Sequence, residues 1–142
     1  MDKKGFTLIE VIVTIGLLII LLSLVFPKIN MDRYYLDKVS KELLYDLKDI
    51  KVKMMTTDGP TYSMTISDNH YMLKIGKNKR IYQYKKFELK EGYKFIYSHQ
   101  DVAFNFNGAP HQSQTIKIIN TETDEKKEIS IVLGTGRILL LE

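Results

Sequence analysis

Cysteine is absent from the 142 residues, so neither a disulfide framework nor a thiolate metal site is available. The three histidines, His70, His99 and His111, are scattered with no His-x-x-x-His pair, and the ligand spacing of a metal centre is missing. No Gly-x-Ser-x-Gly elbow or Ser-x-x-Lys pair occurs, and Gly134-Thr135-Gly136 lacks the Lys-Ser/Thr of a phosphate loop. These absences argue against an enzyme and against a bound cofactor. Charge is missing from one long stretch. Between Phe6 and Phe26 the only ionisable side chain is Glu10.

That stretch of 21 residues would be about 31 Å long as a helix, close to the thickness of a bilayer's hydrocarbon core. A cleaved secretory signal is one reading, with Lys3 and Lys4 as its positive end. No small-x-small cleavage site follows, however, and the run gives way to Val25-Phe26-Pro27-Lys28. A plain membrane anchor is another reading, but an acid inside a spanning helix is expensive and usually functional. Neither accounts for Glu10.

Gly5-Phe6-Thr7-Leu8-Ile9-Glu10, after a short basic leader and before an unbroken apolar run, resembles the processing motif of type IV pilins and pseudopilins. The resemblance implies cleavage between Gly5 and Phe6 by a prepilin peptidase, which then N-methylates Phe6. Residues 1–5 would be the leader, 6–27 the transmembrane and filament-core half of a helix, and 28–142 a globular domain. It implies a single-pass protein of the cytoplasmic membrane, its C-terminal domain outside, later built into a filament. It also gives Glu10 an assembly role, pairing with the Phe6 amine of a neighbouring subunit. That amine is positive at neutral pH, its reference pKa being about 7.7–8.0. Two costly buried charges would then offset each other and set register. Pro27 lacks an N–H for the Ser23 carbonyl and predicts a helix bend. Gly16 either joins in that weakening or allows close helix approach.

After Pro27 the period changes. Leu36, Val39, Leu43, Leu47, Ile50 and Met54 recur at spacings of three or four, with Leu44 and Met55 widening the stripe and charged residues between them. This predicts an amphipathic helix ending near Thr56-Thr57-Asp58-Gly59-Pro60. Joined to the apolar half, it would make one helix of roughly fifty residues, about 75 Å long. Asp46 and Asp49 share a face and, with Lys48 and Lys53 nearby, read as solvated charge. Beyond residue 60 the period is two. Strands are predicted at 62–66, 71–75, 81–84, 93–97, 103–106, 115–119, 128–133 and 137–141, separated by turn residues. An antiparallel meander with one apolar face, laid over the helix, gives an α+β fold. Residues 104–108, 115–118 and 129–138 resemble the C-terminal half of H-type minor pseudopilins and related minor pilins, which implies a low-abundance subunit. Gly134 and Gly136 read as a turn needing positive φ.

The formal charge of +4 is unevenly spread, since residues 74–94 hold eight basic groups against Glu88 and Glu91. With Tyr82, Tyr84, Phe87, Tyr93 and Phe95 interleaved, the segment reads either as a nucleic-acid-binding surface or as strands with lysines on a wet face. Candidate nucleic-acid contacts are Lys79, Arg80, Lys85 and Lys86, and the resemblance implies Arg137, after the glycine turn, as a further one. Two function classes follow. One is a structural protein, a minor pilin or pseudopilin whose partners are other pilins, the prepilin peptidase and methyltransferase, and a membrane assembly platform. The other is a binding module, a competence-type subunit that takes up DNA.

Overall fold

The computed structural model describes residues 7–25 and 31–141, in two compact units, Met1–Asn30 and Met31–Glu142. Among the described residues the first unit is one helix, α1, Leu8–Val25. It begins with a capping box, in which side chain and backbone of two residues satisfy each other's free groups. The Thr7 hydroxyl accepts from the Glu10 N–H at 3.4 Å, and the Glu10 carboxylate accepts from the Thr7 N–H at 2.9 Å. Thr14 and Ser23 turn their hydroxyls back onto carbonyls of the preceding turn. The described hydroxyls are therefore spent inside the helix, and from Leu8 to Leu22 every apolar side chain lies exposed.

The second unit opens with α2, Met31–Thr56, which stops before Gly59 at φ +98° and Pro60. All six residues of the expected stripe, Leu36 to Met54, are buried. Leu44 is half-buried, whereas Met55 lies exposed beyond the stripe. Whether α1 and α2 run on as one helix depends on residues 26–30, which with Pro27 lie outside the described residues.

Eight strands follow: β1 Thr61–Ile66, β2 His70–Lys77, β3 Arg80–Glu88, β4 Tyr93–Tyr97, β5 Asp101–Ala103, β6 Gln114–Asn120, β7 Lys126–Ile131 and β8 Ile138–Leu141. They make two four-stranded antiparallel sheets, β3-β2-β1-β5 and β4-β6-β7-β8, rather than the single meander expected. The chain crosses three times. β4 leaves to open the second sheet, β5 returns to pair with β1, and β6 goes back to pair with β4. The crossings are tied by backbone bonds from Phe95 N–H to the Asp68 carbonyl (2.7 Å) and from Ile66 N–H to the Gln100 carbonyl (2.8 Å).

The expected strand at 103–106 is also corrected, since β5 ends at Ala103 and Phe104 makes one isolated bridge to Pro110. Asn105 is the reason. Its side-chain oxygen accepts from the N–H groups of Asn107 (3.0 Å) and Ala109 (2.9 Å), closing a turn that a strand cannot contain. Alternation fills the core as the period of two requires. Met64, Ile66, Tyr71 and Leu73 from one sheet, and Ile116, Ile118, Ile129 and Ile131 from the other, bury against the stripe of α2. The anticipated glycine turn is present, with Gly134 at φ +87° and Gly136 at φ +60°. At Gly136 a Cβ would collide with the Gly108 carbonyl oxygen, and Lys51 donates to the Gly136 carbonyl at 2.8 Å.

Candidate functional site

At the head of α1, Glu10 is the one acid in an apolar cylinder. Its carboxylate is engaged locally, accepting from both the N–H (2.9 Å) and the hydroxyl (3.0 Å) of Thr7. Thr7 was not singled out from sequence, although Thr-x-x-Glu before an apolar run is a capping-box signature. The cleavage residues Gly5 and Phe6 lie outside the described residues. Gly16 sits mid-helix with nothing within 4 Å of where a Cβ would stand. A helix apolar on all sides is a buried helix, so α1 needs an apolar environment that this chain's own unit does not supply. Among the described residues no helix is long and apolar enough to cross a membrane, α1 being described over 18 residues.

In the second unit the expectation that Asp46 is solvated is overturned. Asp46 is 8% exposed, and its carboxylate accepts from the Tyr71 hydroxyl at 2.6 Å and the Lys85 ammonium at 2.7 and 2.8 Å. Glu42, one turn earlier, approaches the same ammonium at 3.3 Å. The helix period put Asp46 at the margin of the stripe, where sequence shows charge but not the partner arriving from a strand. Only Asp49 remains as expected, paired with Lys53 at 2.6 Å on the surface.

This triad of acid, phenol and amine is a joint rather than a reactive centre. Tyr71 is fully buried, stacked on Phe87 at 5.2 Å and edge-on to Phe95 at 5.9 Å, so no substrate reaches its oxygen. Burial, then the Asp46 bond, pushes the phenol far above its usual range. For Lys85, burial works against the charged form, but the Asp46 and Glu42 carboxylates outweigh it and hold the pKa above normal. Both groups stay protonated at neutral pH, which suits neither a nucleophile nor a base.

The five candidate nucleic-acid contacts do not come together. Lys85 is spent on Asp46, and Lys86 is paired with Glu88 at 2.5 Å. Phe87 and Tyr93 are half-buried and Phe95 is buried. Arg137 is exposed, but it follows the β7–β8 turn on the second sheet. Lys79 and Arg80 remain, at the tip of the β2–β3 hairpin. There Asn78 (φ 51°) and Lys79 (φ 63°) form a two-residue turn with both φ positive, the geometry that matches strand twist.

These features can be compared with known proteins. Residues 1–26 match the family model described as the prokaryotic N-terminal methylation motif. The solved structure of the type IV minor pilin FimU from Pseudomonas aeruginosa is similar at a TM-score of 0.63 and 17% identity, covering 78% of this chain and 91% of that one. The chain has the type IV pilin fold. The minor pseudopilin EPSH from the type II secretion system of Vibrio cholerae shares that pilin fold at a TM-score of 0.63 and 11% identity, over 75% of this chain and 93% of that one. No curated protein matches in sequence.

Proposed function

We propose that this protein is a minor subunit of a type IV filament, a pilus or a secretion-type pseudopilus. In this reading residues 1–5 are removed, Phe6 becomes the methylated N-terminus, and the apolar helix passes from membrane to filament core. The observation that carries it is the contrast between the two units. The globular unit buries its own apolar stripe, while α1 exposes apolar side chains all round with one acid at its head. A structural, non-catalytic role follows, with other pilins, the prepilin peptidase and a membrane assembly platform as partners. Phe6 and Phe26 extend the apolar run beyond the described helix to the length a single membrane pass needs.

Within this reading Glu10 changes partner. In the single chain its carboxylate is occupied by two solvent-exposed bonds from Thr7. The cationic amine of a neighbouring Phe6, in an apolar bundle, is the stronger partner and displaces them. The test is Glu10→Leu, expressed with its filament system. The variant is expected to fractionate with membranes like the parent but to be absent from sheared filaments. Equal incorporation of parent and variant overturns the assembly role.

A further inference from the structure

We propose that the end of the β2–β3 hairpin, with Tyr62 of β1, is a binding surface for single-stranded nucleic acid. Cross-strand register places Tyr62 opposite Ile75 and Ile75 opposite Tyr82, so the three stand in one row on one face of the sheet. A bulge in β3, where the pairing shifts between Leu73 and Lys74, adds Tyr84 to the same face. Its ring stands edge-on to Tyr62 at 6.3 Å. The Lys53 ammonium lies 5.7 and 5.0 Å from the centres of those two rings. Because Lys53 is in the last turn of α2, the row begins where helical cover ends. Tyr82 is 50% exposed and Tyr84 41%.

Charge completes the surface. Lys77 and Arg80 are the next same-face pair beyond Ile75 and Tyr82, and Lys79 occupies the turn. Among the described residues none of these three cations has an ion-pair partner. Lys53, Lys85 and Lys86, by contrast, are each paired with a carboxylate. Along β3 the hairpin thus pairs Lys85 and Lys86 with carboxylates, while the cations at its tip have no such partner among the described residues. Edge-strand lysines that merely prevent pairing need no exposed rings beside them. Free cations next to half-exposed rings fit a polyanion whose flat bases are available for stacking, which a single strand offers and a duplex does not. The tyrosine that completes the row, Tyr62, lies outside the basic segment. This surface belongs to the globular unit and does not depend on the filament reading.

The test is fluorescence anisotropy of labelled single-stranded oligothymidylate with the full chain in nonionic detergent, over a salt series. Binding is expected at low salt, with log K falling linearly against log salt. Replacing Lys77→Gln, Lys79→Asn and Arg80→Gln together should flatten that slope by about 2, at roughly 0.7 per lost phosphate contact on single strands. Tyr82→Ala should weaken binding about 5- to 160-fold with the slope unchanged, the range of one base–aromatic stack. Lys86→Gln, away from the row, should change affinity by no more than about twofold. Thermal unfolding checks that each variant is folded. The proposal is overturned by absence of binding at low salt, by a Tyr82→Ala variant that binds like the parent, or by equal affinity for the duplex. Equally effective competition from phosphatidylglycerol vesicles would also overturn it, reassigning the cations to a lipid surface.

Discussion

Replacing Asp46 by alanine removes the acceptor that joins α2 to β2 and β3, and the cost follows from the exposure of its two partners. The Tyr71 hydroxyl is fully buried, so losing its acceptor leaves an unsatisfied group costing about 1–3 kcal/mol. The Lys85 side chain is 37% exposed and keeps Glu42 at 3.3 Å, so solvent screening limits its loss to about 0–1 kcal/mol. Together these give about 1–4 kcal/mol. At roughly 4–8 °C per kcal/mol for a domain near this size, the midpoint should fall on the order of 10 °C. The assay is thermal unfolding of the full chain in mild detergent, followed by near-ultraviolet circular dichroism of the tyrosines. A cycle with Tyr71→Phe isolates the bond. With both polar partners gone no orphan remains, so the double variant should recover about 1–2 kcal/mol relative to the summed singles. An Asp46→Ala midpoint unchanged from the parent, or strictly additive singles, would refute the reasoning.

Three further outcomes are expected. Leu43→Ala, at a fully buried position in the stripe, should cost about 2–5 kcal/mol, whereas Leu133→Ala, 56% exposed, should stay within about 0.5 kcal/mol in the same melt. Gly136→Ala should destabilise by roughly 1–3 kcal/mol, because φ is +60° and a Cβ would meet the Gly108 carbonyl; chemical denaturation at neutral pH measures it. Alkali should lower stability. Burial and Asp46 raise the Tyr71 phenol above its unfolded value near 10, so its contribution is complete below about pH 10 and lost as pH rises from there. Tyr93, pushed up to about 12 by burial and then by Asp32, acts in the same direction. Unfolding midpoints between about pH 9 and 12 should fall more steeply for the parent than for Tyr71→Phe.

Much of the fold was legible in the residues. The stripe of α2 could be read residue by residue, because a helix packing on sheets must repeat every 3.6 residues. Seven of the eight strands were placed within a few residues of their ends, since alternation and turn residues mark both faces and both ends. The partition into two sheets was not legible. Alternation is the same whether β5 pairs with β1 or continues a meander, and only long-range backbone bonds decide. Asn105 ended the remaining strand by side-chain bonding that its neighbours Phe104 and Phe106 disguised.

At the candidate sites the pattern was similar. Glu10 stood out because an acid in an apolar run needs a reason, and the glycine turn because its backbone needs positive φ. Asp46 and Lys85 misled because charge in sequence looks the same whether solvated or paired across forty residues. Tyr62 escaped notice because it sits one strand away from the lysines.

The most direct measurement of the central claim is the intact mass and N-terminal fragmentation of the protein purified from cells that contain a prepilin peptidase. The expected product begins at Phe6, lacks residues 1–5 and carries one methyl group on its α-amine. A chain that retains residues 1–5, or one cut beyond Phe26 so that the apolar helix is lost, would contradict it.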